Sequence, residues 1–78
     1  MIKAYVLVVT NPGETRNVLG AIKDIPGVVE IHEVMGPYDI VVEIEVASLS
    51  DVPPILSDKI RTVPGIESTT SLVTFPEP

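Results

Sequence analysis

Few side chains in this sequence are equipped for chemistry. Cysteine is absent, and the single histidine, His32, stands between Glu30 and Glu33. Covalent catalysis requires a nucleophile beside a base, and acid–base catalysis a pair of tuned groups. His32 sits in a strand-like run without such partners and reads as a surface or interface residue. Zinc takes several imidazole or thiolate ligands, and one imidazole flanked by glutamates does not supply them. No metal, no cofactor and no catalytic residue is assigned. Asn11-Pro12-Gly13 is not a phosphate loop, because it carries one glycine and no following lysine.

Two polar clusters suit recognition better than catalysis. One is the turn Gly36-Pro37-Tyr38-Asp39, and the other is the hydroxyl run Ser68-Thr69-Thr70-Ser71. Gly, Pro and Asp make turns without any function, and Thr-rich strands are ordinary on a solvent face. Together, however, the clusters offer hydroxyl donors, backbone amides at a glycine turn, and a carboxylate. That set matches a small zwitterion: amides and hydroxyls for its carboxylate, Asp39 for its ammonium.

The elements that must position these groups are short. The chain has 78 residues, a net charge of −6 and only five basic residues. A domain of this size buries only ~60% of its unfolded surface, and without cysteine it has no disulfide to staple it. The mean hydropathy of +0.40 is high for a monomer in water, which points to apolar surface covered by a partner. The scattered bases, Lys3, Arg16, Lys23, Lys59 and Arg61, form no stripe for a phosphate backbone, so direct nucleic-acid binding is not expected. The opening run MIKAYVLVVT is too short to span a bilayer, and the reading is a soluble, cytoplasmic protein with no membrane partner.

An internal repeat organises the chain. IKDIPGV at 22–28 matches IRTVPGI at 60–66, with Ile22/Ile60, Pro26/Pro64 and Gly27/Gly65 identical, at an offset of 38. Carried back, this offset lays Ala4, Val6 and Val8 on Val42, Ile44 and Val46. Each half reads strand, helix, strand. In the first, IKAYVLVV is a strand. Asn11 is placed as N-cap, with Pro12 at the first helical position and Glu14 reaching back to the cap. Val18, Leu19, Ile22 and Ile25 form an apolar stripe, and VVEIHEVM follows Pro26-Gly27 as the next strand. In the second half, IVVEIEV alternates, Ser48 to Asp51 supply cap candidates, and Pro53 and Pro54 belong to a first helical turn. Val52, Ile55, Leu56, Ile60 and Val63 form the second stripe, and IESTTSLVTF is the last strand. The order βαββαβ predicts an α+β fold, the ferredoxin-like plait: a four-stranded antiparallel sheet with two helices on one face. Residues 1–75 form one domain, and residues 76–78 a short tail.

The plait leaves one sheet face bare. If Ala4, Val6 and Val8 face the helices, Tyr5, Leu7 and Val9 face outwards. An exposed aliphatic side chain forgoes ~1.5–3 kcal/mol relative to burial, and a second copy packed sheet to sheet recovers it. Two-fold homodimers are the commonest soluble oligomers. Tyr5, Leu7 and Val9 are therefore assigned to a dimer interface, with Glu43 and Glu45 at its rim or meeting Lys3.

The run Val34-Met35-Gly36-Pro37-Tyr38-Asp39-Ile40-Val41-Val42, with Val63-Pro64-Gly65-Ile66 and then Thr69-Thr70-Ser71, resembles the effector domain of the leucine-responsive regulator (Lrp/AsnC) family. That module is also called the RAM domain, for regulation of amino-acid metabolism. The resemblance covers essentially the whole chain, and the Gly-x-Tyr-Asp turn is its most specific part. It implies a plait that dimerises through its sheets, with dimers joined into octameric or similar rings and amino-acid effectors held in clefts between dimers. By position, Gly36, Tyr38 and Asp39 match the family's turn, and Thr69 and Ser71 match its Thr-x-Thr/Ser. Full family members carry an N-terminal helix-turn-helix. Here the effector domain begins at residue 1, so the resemblance implies a stand-alone module that binds an amino acid and co-assembles with, or competes for, full-length regulators.

Two rival readings use the same element order. A small dimeric barrel enzyme, a monooxygenase or isomerase, would place polar groups between sheet and helices, where this sequence places Val and Ile. An ACT-type amino-acid-binding module would hold its ligand near the loop after the first strand, here Asn11-Pro12-Gly13. Replacing Asn11 should weaken amino-acid binding if the second rival holds. Replacing Asp39 should do so if the Lrp/AsnC resemblance holds.

Overall fold

The computed structural model describes residues 1–75, so the tail at 76–78 lies outside the described residues. Strand β1 spans Ile2–Thr10, helix α1 Thr15–Ile22, β2 Val28–Glu33, β3 Ile40–Val46 and β4 Ile66–Val73. A helical segment from Leu49 to Ile60 joins β3 to β4. The sheet order is β2-β3-β1-β4, and every pairing is antiparallel. This is the ferredoxin-like βαββαβ plait that the repeat predicts.

Alternation sets the two faces, because successive strand side chains point to opposite sides. Ala4, Val6 and Val8 on β1 and Ile40, Val42 and Ile44 on β3 have no exposed surface. They form one cluster with Val18 and Ile22 of α1 and with Val52 and Ile60 of the second helical segment. Both helical segments therefore cover the same sheet face. Ile25 and Val63, expected on the helical stripes, lie in the turns beyond the helices and pack against this cluster half-buried.

Several boundaries differ from expectation for local reasons. Helix α1 starts at Thr15, and Asn11 does not cap it. Asn11 to Glu14 form a separate turn, in which the Glu14 N–H donates to the Asn11 carbonyl at 3.0 Å. Gly13 at φ +82° turns the chain out of the helical path. The Glu14 side chain accepts from Asn17 Nδ2 at 3.2 Å and not from a cap amide. Strand β2 stops at Glu33, and β4 stops at Val73. Past β4, Thr74 is still tied to β1, its N–H and hydroxyl donating to the Lys3 carbonyl at 3.0 and 2.9 Å.

The second helical segment changes pitch along its length. A 3₁₀ turn, Leu49–Asp51, begins it, with the Ser48 N–H donating to Asp51 Oδ2 at 3.2 Å. An α turn follows over Val52–Pro54, where Pro53 and Pro54 need no amide partner. Ile55–Ile60 is a π stretch, closed by the Arg61 N–H on the Leu56 carbonyl at 2.9 Å. The cap region is as expected, but the uniform helix is not, since a hydrophobic stripe reports a face and not the local pitch. No helix among the described residues is long and apolar enough to cross a membrane.

Each Pro-Gly turn carries its half of the chain beneath the helix of the other half. A side-chain Cβ on Gly65 would lie 3.0 Å from both Glu14 Cβ and Val18 Cγ2 of the α1 region, and its φ is +99°. Gly27 meets Ile55 Cδ1 in the same way at 3.0 Å. Gly65→Ala should therefore combine backbone strain with a clash and cost about 1–3 kcal/mol. Gly13→Ala, with a positive φ but open space around it, should cost less. Urea unfolding of the two variants checks the order.

Candidate functional site

Asp39 begins as a turn residue and ends as the most connected polar group of the described structure. Its Oδ2 accepts from the Thr10 N–H at 2.8 Å and from the Thr10 hydroxyl at 3.1 Å. The Thr10 and Thr15 hydroxyls are 2.6 Å apart. Because a carboxylate only accepts and Thr10 has one hydroxyl proton, the relay runs Thr15 to Thr10 to Asp39. The Asp39 N–H donates to the Val8 carbonyl at 2.8 Å, and its own carbonyl accepts from Val34 at 2.9 Å. One residue thus joins the end of β1, the start of α1 and the Gly36–Asp39 turn. Its second carboxylate oxygen, Oδ1, has no protein donor among these bonds.

The rest of the turn faces outwards. Gly36 is exposed, with nothing within 4 Å of where a Cβ would be, and Tyr38 is half-buried. Thr69 lies across β1 from this turn: Val8 pairs with Thr69 on β4 and with Ile40, the residue after Asp39, on β3. Two strand spacings of ~4.8 Å separate the two sides. Ser71 pairs with Val6, two residues further along. The structure therefore brings the turn and Thr69 to one end of the sheet. It leaves Ser71 deeper along the edge strand, exposed.

A cavity of about 280 Å³ opens beside Thr69, lined by Arg61, Ile66, Glu67, Ser68 and Thr69. Arg61 and Glu67 were not among the residues that the sequence singled out. The repeat held a signal for them. Opposite Val28-Val29-Glu30-Ile31 in the first half stand Ile66-Glu67-Ser68-Thr69 in the second, so a largely apolar copy has become polar. The pairing register slips at this point in both halves, between Val28 and Glu30 on β2 and opposite Val9 and Thr10 on β4. Such a bulge re-aims side chains. The guanidinium of Arg61 is a fitting partner for a carboxylate.

On the helix-free face, Tyr5, Leu7 and Val9 are half-buried and pair with Leu72, Thr70 and Ser68 on β4. Val41 stands beside Leu7, and Leu72 is 52% exposed. Lys3 reaches Glu43 at 3.8 Å and pairs in register with Glu45. The apolar row is thus bounded by charge at one end, as the alternation implies. His32 lies on the outer strand β2, exposed, with Nε2 3.4 Å from Glu30 Oε1.

Comparison with known proteins places this geometry. The family model described as Lrp/AsnC ligand binding domain matches residues 3–78. An uncharacterized HTH-type transcriptional regulator of Pyrococcus furiosus is 33% identical over 75 residues, covering 92% of this chain and 50% of its own. The chain thus spans about half the length of the curated relatives it matches. The crystal structure of FFRP-DM1 superposes with a TM-score of 0.90 at 33% identity, covering 96% of this chain and 100% of that one. A transcriptional regulator of Neisseria meningitidis, solved as a complex with L-Met, shares the fold with a TM-score of 0.84 at 14% identity. That match covers 97% of this chain and 51% of the regulator.

Asp39→Ala should remove both Thr10 bonds and leave a buried hydroxyl and amide short of a partner. The expected loss is about 1–3 kcal/mol in urea unfolding. A double-mutant cycle with Thr10→Val should show the two changes to be non-additive.

Proposed function

We propose, from the premise that this chain belongs to the Lrp/AsnC ligand-binding domain family, that it is an effector-binding and oligomerisation module. It binds a free amino acid and thereby modulates transcriptional regulators of amino-acid metabolism. The observation that carries this reading is the convergence of the Gly36–Asp39 turn and Thr69 on the two sides of β1 at Val8. Gly36, Tyr38, Asp39, Thr69 and Ser71 are the ligand residues. Asp39 meets the ammonium through Oδ1, while Oδ2 stays with Thr10. The hydroxyls of Thr69 and Ser71, the amides of the turn, and Arg61 at the adjoining cavity meet the carboxylate.

The helix-free face supports the second part of the proposal. Tyr5, Leu7 and Val9, extended by Val41 and Leu72, are a row that a second copy covers, giving a homodimer in which the patch meets itself. Rings of dimers, octameric or similar, then bring turns of neighbouring dimers together. Full-length regulators of the family are the partners with which such a dimer co-assembles. The net charge of −6 and the scattered bases favour a role without direct DNA contact, in the cytoplasm. The polar residues serve recognition and not catalysis. The ACT-like alternative has less support, because the Asn11 N–H is already held by the Gly65 carbonyl at 2.8 Å.

A thermal-shift screen against the common amino acids tests the ligand. At 100 times its dissociation constant a ligand adds ~2.7 kcal/mol to the folded state, and the shift should shrink in Thr69→Val and in Asp39→Asn, each measured against its own ligand-free midpoint. No shift with any amino acid would refute effector binding. Leu7→Glu should convert the dimer to monomer in size-exclusion chromatography with light scattering, and an unchanged mass would refute the sheet-to-sheet interface.

A further inference from the structure

A second cavity lies far from the turn. It measures about 370 Å³ and sits between the Pro26-Gly27 turn, the end of β3 and the second helical segment. Its walls are chiefly apolar: Pro26, Val46, Ala47, Pro54 and Ile55, with Asp51 and Lys59 the only charged side chains on its lining. Val46 pairs with Ile2 at one end of the sheet, whereas Ile40, beside the turn, pairs with Val8 at the other. Six residue steps along β3 separate the two places by ~20 Å.

Three observations converge on this cavity. The helical segment bordering it is a π stretch where it supplies Ile55 and Lys59, and π geometry is rare and recurs at functional sites. The matching junction in the other half, Gly65 against Glu14 and Val18, is borne by an ordinary α-helix. Asp51 and Lys59 are eight positions apart, and among the described residues they form no ion pair with each other or with any other side chain. Asp51 Oδ2 is held in place by the Ser48 N–H and hydroxyl at 3.2 and 3.3 Å, which fixes the carboxylate at the rim with Oδ1 left over.

We propose that this cavity is a second ligand site, distinct from the turn, for a small zwitterion with an aliphatic side chain, that is, a free aliphatic α-amino acid. The ammonium meets Asp51, the carboxylate meets Lys59, and the side chain enters the wall of Val46, Pro54 and Ile55. The volume lies in the range of small-molecule pockets. A ligand there bridges the start and the end of the second helical segment, at Asp51 and Lys59, and holds its pitch.

Amide NMR of the ¹⁵N-labelled full chain titrated with L-leucine, L-isoleucine and L-valine at millimolar concentration is the test. Shifts are expected at Gly27, Ala47, Ile55 and Lys59. Lys59→Gln should weaken the titration by about tenfold, as should replacing L-leucine by leucinamide or by 4-methylpentanoate, which lack one charge each. Ala47→Leu, which narrows the mouth from an exposed position, should block it, and Asp39→Asn should leave it within about twofold. Three results would overturn the proposal: no shift at these amides with any of the three, equal binding of the singly charged analogues, or equal loss in Asp39→Asn. Shifts confined to Gly36, Tyr38 and Asp39 would also sink the second site while supporting the turn as the effector site.

Discussion

One constraint governs the rest of this structure: a single aliphatic layer lies between the sheet and the helices. Ala4, Val6, Val8, Ile40, Val42 and Ile44 face Val18, Ile22, Val52 and Ile60, and all are removed from water. Among the described residues no element forms a second layer, and without cysteine there is no covalent staple. The other sheet face must therefore remain accessible, and strict alternation puts Tyr5, Leu7 and Val9 there as surely as it puts their neighbours inside. The buried face and the accessible face are the two sides of one pattern.

The two half-copies lock together through that layer. Each Pro-Gly turn runs under the opposite helical segment, closely enough at Gly27 and Gly65 that a Cβ would press on Ile55 or on Glu14 and Val18. This mutual overlap lets the copies diverge elsewhere without loss of the fold. One helix is regular, and the other passes from 3₁₀ through α to π. One bulged strand start is mainly apolar, and the other carries Glu67, Ser68 and Thr69. Polar character accumulates where the second copy has departed from the first.

Asp39 illustrates how a residue chosen for one role takes on another. Its place in a Gly-Pro-Tyr-Asp turn suggested a carboxylate open to a ligand. The structure spends one oxygen and both backbone groups on Thr10, Val8 and Val34. The turn is thereby tied to the end of β1 by hydrogen bonds to Val8 and Thr10.

The sequence by itself determined the element order, the strand faces and the repeat, because each rests on local periodicity and on Pro and Gly, whose backbone limits are intrinsic. IVVEIEV is the clearest case: its alternation gives β3, from Ile40 to Val46, its bounds and both its faces. The Asn11 cap failed because the chain makes a separate turn through Gly13 and the helix starts only at Thr15; the Asn11 N–H goes instead to the Gly65 carbonyl, more than fifty residues away, a partner that no local rule contains. The π stretch, the Thr15–Thr10–Asp39 relay and the cavities at Arg61 and at Lys59 were likewise decided only by the tertiary structure. Each depends on distances between segments remote in the chain, and those distances exist only once the aliphatic layer has closed.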